Sequence, residues 1–274
     1  MKHKHFIINI VLFLLPLFST GQYLEIGVNG GGSNFIGDVG NYGMDLPRGF
    51  HAGALFRYNF NNHWAVRINA NYGQIEARDS WSSLEDRQNR NLSFRSEIRE
   101  AYAVAEFNFF PFEPGRKSMS HTPYINGGFG VFSFSPEAQY ESQWYDLRSL
   151  RTEGQATSFG GGSPYATASS FFVFSLGYKW SIARWSSIAL ESSFRTTYTD
   201  YLDDVSGYYA DPEVLSEEVS ELSRILADRS LSPSNKENTL RGNPANRDWY
   251  IFTGITIQFR FGELYEKCAS FVGK

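Results

Sequence analysis

Three histidines, His51, His63 and His121, lie beyond the first 21 residues, and a hydrolase or transferase would need one of them as base beside a nucleophile and an orienting carboxylate. His63 and His121 fall at short turns. That leaves His51, whose only acidic partners of plausible position are Asp203 and Asp204. No third group follows from their spacing, so the chain reads as a non-enzyme with no catalytic residues. The runs Gly30-Gly31-Gly32 and Gly160-Gly161-Gly162 lack a following Lys-Ser or Lys-Thr, so they read as bends and loops, not phosphate loops. Asp200, Asp203 and Asp204 offer carboxylates to a hard cation but lack the further spaced oxygens it needs, and read as a hydrogen-bonded loop cluster. No cofactor or metal site is expected. The one cysteine, Cys268, cannot close an internal disulfide and reads as a partly buried free thiol.

The elements that must carry these residues follow from composition and period. Of 274 residues, 17% are aromatic, too much apolar area to stay solvated in a disordered chain. Residues 1–21 open with Lys2 and Lys4, continue through an apolar run of about 13 residues, and end in Ser19-Thr20-Gly21. That is a cleavable signal peptide; a membrane-spanning helix would need roughly 20 apolar residues. Losing two lysines and no acid takes the formal charge from -4 to -6, and an acidic chain argues against nucleic acid.

From Gln22 onward, apolar residues recur at every second position, the period of strands with two unlike faces. Leu24, Ile26 and Val28 alternate with Glu25, Gly27 and Asn29. The same pattern recurs around residues 50–60, 64–73, 100–109, 124–134, 172–180, 188–198 and 249–261, broken at Leu55 and of uncertain register in the glycine-rich fifth stretch. Eight strands result. Short connections at 61–63, 111–122 and 181–184 alternate with long ones at 30–47, 74–92, 135–169 and 199–247, the asymmetry of an outer-membrane barrel with short periplasmic turns and long extracellular loops. Within the last loop, residues 211–230 have helical spacing and predict one amphipathic helix starting at Asp211-Pro212.

Glu25, Arg57, Arg67, Glu106, Lys179, Glu191, Arg195 and Arg260 share the polar face, and a dry sandwich core would not hold so many charges. An eight-strand lumen is narrow enough to be filled by side chains that pair across it, which predicts a plugged barrel. Tyr58, Phe60, Trp64, Trp180, Trp185, Phe259 and Phe261 cluster at strand ends as an interfacial girdle. The fold class is therefore all-β, an eight-stranded antiparallel transmembrane barrel over residues 22–261, followed by a periplasmic tail at 262–274.

Several segments in shared order resemble the PorG-like family, an outer-membrane barrel component of the bacterial type IX secretion system. Thr199-Asp200-Tyr201-Leu202-Asp203-Asp204-Val205-Ser206-Gly207 is the most specific. It is supported by Arg90-Asn91-Leu92-Ser93-Phe94-Arg95, Glu106-Phe107-Asn108-Phe109-Phe110-Pro111, Trp144-Tyr145-Asp146-Leu147, Thr152-Glu153-Gly154-Gln155, Arg241-Gly242-Asn243-Pro244, Asp248-Trp249-Tyr250 and Lys267-Cys268. The resemblance implies an integral outer-membrane protein without catalytic activity or small-molecule substrate, whose partners are outer-membrane lipid and the periplasmic lipoprotein ring of the secretion machinery. It brings no residue-level map. Topology then points to the periplasmic rim: Asn62 and His63 in the first turn, Phe112, Glu113, Arg116 and Lys117 in the 111–122 loop with Phe112 as apolar anchor, and Glu263, Glu266 and Lys267 in the tail. The other reading is a small porin-like or adhesion barrel that acts through its extracellular loops.

Overall fold

The computed structural model describes residues 22–41, 46–232 and 236–261. The proposed signal peptide and the tail with Glu263, Glu266, Lys267 and Cys268 lie outside them. Eight long strands close on themselves: β1 (Tyr23–Ile36), β2 (Gly49–Asn59), β3 (Trp64–Arg78), β4 (Ser93–Asn108), β5 (His121–Tyr140), β7 (Ala168–Ala183), β8 (Ser186–Thr197) and β9 (Trp249–Phe261). Each pairs antiparallel with its neighbour in the order β4-β3-β2-β1-β9-β8-β7-β5, and β4 pairs with β5 to shut the barrel. A short ninth strand, β6 (Gln143–Asp146), pairs only with the end of β5 beyond the barrel wall. No helix of the described residues is long and apolar enough to cross a membrane.

The expected faces are the observed ones. Leu24, Ile26 and Val28 point outward at 38%, 45% and 58% exposure, whereas Glu25, Arg57, Glu106 and Lys179 are each at 0%. Ile68, Phe129, Val131, Leu176, Leu190, Ile255 and Ile257 join the outward set. A soluble protein rarely shows so continuous an apolar surface, and it suits hydrocarbon rather than water. Along β3 the belt runs from Trp64 to Tyr72, nine residues on a tilted strand, which is about the length that crosses a bilayer. Trp64 packs on Phe107 at 4.8 Å, Tyr58 on Phe60 at 4.9 Å and Tyr178 on Trp180 at 4.6 Å, forming an aromatic ring at the short-turn end.

Several expected boundaries move. Gly30, Gly31 and Gly32 are not a bend but lie inside β1, where β1 and β9 approach so closely that a Cβ on Gly31 would sit 2.1 Å from the Thr253 carbonyl oxygen. β3 and β5 also run on into segments read as loops, because Ile75, Ala77 and Ala138 pack inward on a core above the lumen, and β4 starts earlier than expected, with Phe94 and Ile98 on the same core. The helix expected over 211–230 is two: α3 (Pro212–Glu218) and α4 (Glu221–Ala227), which follow the shorter α1 (Glu85–Arg90) and α2 (Leu147–Leu150). Asp211 caps the first of the pair by accepting from the Glu213 amide. Ser220 breaks the run because its extended backbone and side chain cap the second, accepting from the Ser223 amide at 3.1 Å.

Candidate functional site

Every strand of the barrel sends polar side chains into the lumen. Arg57 of β2 donates to Glu25 of β1 at 3.1 Å, to Glu106 of β4 at 2.8 Å and to Gln258 of β9. Glu106 also receives Lys179 of β7 and, at 3.3 Å, Arg67 of β3. Arg67 forks onto both oxygens of Glu191 on β8 at 2.7 and 3.0 Å, and that carboxylate accepts further bonds from Tyr124 at 2.7 Å and Asn126 at 3.2 Å on β5. One layer higher, Arg195 forks onto Glu100 at 3.0 and 2.7 Å, with Tyr250 and Asn71 donating to the same acid. Glu25, Glu100, Glu106 and Glu191 thus face Arg57, Arg67, Lys179 and Arg195, four charges of each sign. Charges so buried persist because each is paired, although the network is not saturated, the Nε of Arg57 and of Arg67 and one oxygen of Glu25 making no hydrogen bond among the described residues. A cavity of about 20 Å³ beside Asn69 and His51 has room for about one water. The lumen is filled rather than open.

Both ends of this plug are closed. At the short-turn end the structure brings together the residues expected at the rim. The Phe112 amide donates to the Asn62 carbonyl at 3.0 Å, Asn62 reaches the Met119 sulfur at 3.4 Å, and the Gly115 amide donates to Ser181 at 3.0 Å. Asn62 and His63 border a groove of about 610 Å³ with Trp64, Phe107, Pro111 and Met119. Arg116 is exposed and pairs with Glu113 at 3.1 Å, while Lys117 begins a single exposed helical turn. One expectation is corrected here. Phe112 is only 1% exposed, with Lys179 Nζ 5.2 Å above its ring and Tyr23 donating to its carbonyl at 3.3 Å. It stoppers the barrel from within and is not an anchor offered to a partner. Glu113 likewise turns partly inward, to Arg260 at 3.1 Å.

At the other end the long connections fold into one cap. Asp79 accepts both from Arg90, at 2.7 and 2.9 Å, and from the amides of Gly40 and Leu92, each at 3.0 Å. Arg90 also donates to the carbonyls of Arg241 at 2.7 Å and Asp38 at 2.6 Å. Arg241 binds Glu153 at 3.2 Å, and Glu153 accepts from the amides of Ser206 and Gly207 at 2.9 and 3.1 Å. Segments that are far apart in sequence, 90–95, 152–155, 199–207 and 241–244, therefore meet in one place. Sequence reasoning singled them out as motifs but had no signal for their convergence.

Asp203 and Asp204, with Asp248, are structural. Asp203 accepts from the Val39 and Val205 amides, each at 3.0 Å, Asp248 accepts from Leu202 at 2.9 Å, and Asp204 accepts from Thr152 and Tyr165. Burial and neighbouring carboxylates push Asp203 and Asp248 well above the usual carboxylate range. Burial raises Asp200 to about 7 and Asp204 to about 6. Among the described residues no group of three or more His, Cys, Asp or Glu is arranged to hold a metal ion. His51 does not meet Asp203 or Asp204; it stacks on Phe252 at 4.5 Å inside the barrel, its Nδ1 3.2 Å from the Gly32 carbonyl oxygen.

The chain belongs to the family described as a domain of unknown function, DUF6089, which it matches over residues 4–216. No curated protein sequence matches it. Among solved structures it is similar to the N-terminal β-barrel domain of Pseudomonas aeruginosa OprF, at 10% identity and a TM-score of 0.38 over 87% of this chain and 97% of that one. It is also similar to the attachment invasion locus protein Ail of Yersinia pestis, at 11% identity and 0.39 over 88% and 100%, and to Neisserial surface protein A, at 9% identity and 0.39 over 88% and 98%.

Proposed function

We propose that this chain is a non-enzymatic barrel of the outer membrane that anchors the periplasmic lipoprotein ring of a type IX secretion machinery through its short-turn rim. One observation carries the reading: the lumen is filled by a charge-balanced network and stoppered by Phe112, so function falls to the two ends and not to a channel. The ordered resemblance of the cap segments to PorG-like proteins supports the choice of machinery, and the exposed Arg116 and Lys117 of the short-turn rim support a docking face there. Because Phe112 and Glu113 brace the barrel itself, the test changes only the exposed cations. The double variant Arg116→Glu, Lys117→Glu is expected to remain heat-modifiable on gels and to lose capture of the ring lipoproteins from membranes along with cargo secretion. Undiminished capture overturns this assignment of the interface.

A second reading has its own support, since the loops form a packed cap with a continuous core rather than separate arms. In that reading the barrel acts as a small porin-like or adhesion protein through a preformed outer surface. Loss of surface attachment on altering the cap, with secretion intact, favours it.

A further inference from the structure

A cleft on the outer face of the projecting strands has two arginines and no acid in its lining. Arg78, Ser93, Phe94, Gln139, Trp144 and Arg229 line about 70 Å³, several times the 10–15 Å³ or so that one water needs. The register builds it: Arg78 of β3 lies opposite Ser93 of β4, and Gln139 of β5 lies opposite Trp144 of β6. Arg229 comes from the segment after α4. Its guanidinium donates to Ser93 Oγ at 2.8 Å, its carbonyl accepts from Asn91 at 3.3 Å, and the Leu231 amide two residues on donates to the Asn89 carbonyl at 2.9 Å. The backbone here is therefore tied to the end of α1 and the guanidinium to the start of β4.

Neither Arg78 nor Arg229 has an ion-pair partner among the described residues. Arg95, one row nearer the barrel, is different: it pairs with Glu137 at 2.8 Å and lies 3.6 Å over the Trp144 ring. Partial burial and the positive charge of Arg78 together pull the Arg229 guanidinium below its ordinary value. Arg48 adds a further cation beside Arg78, the two lying 4.6 and 5.6 Å from the Trp81 ring centre. Two guanidiniums that line one cleft, Arg229 partly buried and the exposed Arg78 near enough to depress it, repel each other less when an anion is shared between them. Their planar forks, with a hydroxyl and a side-chain amide beside them, suit a compact tetrahedral oxyanion better than a point cation or an apolar group.

We propose that this cleft binds a phosphate-class oxyanion, with Arg78 and Arg229 as its two cationic donors and Ser93 and Gln139 completing the shell. Its height suggests two sources. Arg78 is six residues beyond Tyr72, where the apolar belt ends, so the cleft stands about 20 Å farther along the strand, at a rise of roughly 3.3 Å per residue. With strands tilted by roughly 45° that is a height of about 14 Å, above the lipid headgroups and at the level of the phosphorylated sugars of an outer-leaflet glycolipid, and it is also open to free phosphate. The lipid source rests on the outer-membrane reading above; the oxyanion chemistry does not.

The experiment uses the mature chain refolded in detergent micelles and in lipid nanodiscs. Inorganic phosphate is titrated into micelles by calorimetry at constant ionic strength. Nanodiscs containing intact lipopolysaccharide are compared with nanodiscs whose lipopolysaccharide has been enzymatically dephosphorylated. Saturable binding of either phosphate probe is expected, with Arg78→Gln or Arg229→Gln weakening it by about tenfold or more and the double variant abolishing it. Lysine replacements should retain part of the affinity. Binding of inorganic phosphate assigns a free anion, whereas binding only of intact lipopolysaccharide assigns a lipid-borne one; both support the site. No saturable binding of any probe, or equal binding by the double variant, overturns it. Should Arg229→Gln fail to refold, Arg78→Gln, on an exposed position, carries the test alone. Ring capture, measured in parallel, is expected to be unchanged, so failure here and failure of the secretion reading are separable.

Discussion

The lumen and the cap are built on opposite plans. In the barrel the apolar side chains point out and the charges point in, so that Arg57, Arg67, Lys179 and Arg195 are among the most deeply buried residues of the protein. A few ångströms beyond the belt the order reverses. Phe35, Val39, Leu92, Phe94, Leu202, Val205 and Leu226 form an apolar interior, and Arg224, Glu221 and Glu218 face out. Tyr102, Phe171, Tyr250 and Phe252 are the layer where one plan passes into the other, and Arg195 touches both, its guanidinium 4.3 Å over Phe252 while its fork holds Glu100. The difference follows from what lies outside. Lipid gains nothing from covering polar groups, so the barrel must satisfy them internally. Water solvates the cap's outer charges and lets its apolar side chains turn inward, while the charges that stay buried there, Asp79, Asp204 and Arg241 among them, are held by hydrogen bonds between the connections.

The sharpest way to break the contrast is to remove the hub of the charged interior. Glu106 answers three cations, and Glu106→Ala leaves Arg57, Lys179 and Arg67 short of a partner. The expected cost is about 3–5 kcal/mol, read as loss of heat-modifiability or a lowered urea midpoint of the refolded barrel. Adding Lys179→Met to Glu106→Gln should recover much of it. If Glu106→Ala refolds with unchanged stability, the network is not what holds the lumen.

The corresponding change in the cap is apolar. Leu202 is fully buried, and Leu202→Ala is expected to cost about 2–5 kcal/mol locally. The cap and the barrel should then separate experimentally: proteases should cut the 199–247 connection faster while the barrel keeps its heat-modifiability. Simultaneous loss of both would show that they fold as one unit.

A smaller effect concerns pH. Asp200, Asp203, Asp204 and Asp248 have pKa values raised above the ordinary carboxylate range, Asp204 to about 6 and Asp200 to about 7. A raised value means that the fold prefers the protonated acid, so the contribution of Asp204 and Asp200 is complete below about pH 4 and is lost as pH rises through about 6 and about 7. The cap should resist proteolysis better at pH 5 than at pH 8, the reverse of a protein held by ordinary salt bridges. Asp200→Asn, which cannot ionise, should reduce the difference. A cap equally resistant at both values would remove these acids from the account.

Much of the barrel was legible because a strand has period two and its environment has two unlike sides. Leu24, Ile26 and Val28 against Glu25 suffice to show which face meets which medium. The rim was legible as a place, since short turns must lie at one end, but not as a surface. Nothing in Phe112 distinguishes an aromatic that stoppers a barrel from one that greets a partner. The helix break at Ser220 left a trace in the sequence, a serine followed by glutamate at a capping position, yet the 3.6-residue spacing ran through it and outweighed it.

The sequence alone determined the number of barrel strands, the orientation of every barrel-strand face except that of the glycine-rich fifth, and the end at which the long connections lie, because these depend on local periodicity and on the order of elements along the chain; it did not show the short β6. Only the tertiary structure decided which charges meet. Arg57 finds Gln258 and Glu106, Arg241 finds Glu153, and Arg229 joins Arg78, all across separations that no local pattern encodes. Barrel closure and loop packing choose those partners, since the register of each strand pair fixes which side chains share a level of the lumen, and a buried charge accepts no neighbour but one that is already in place.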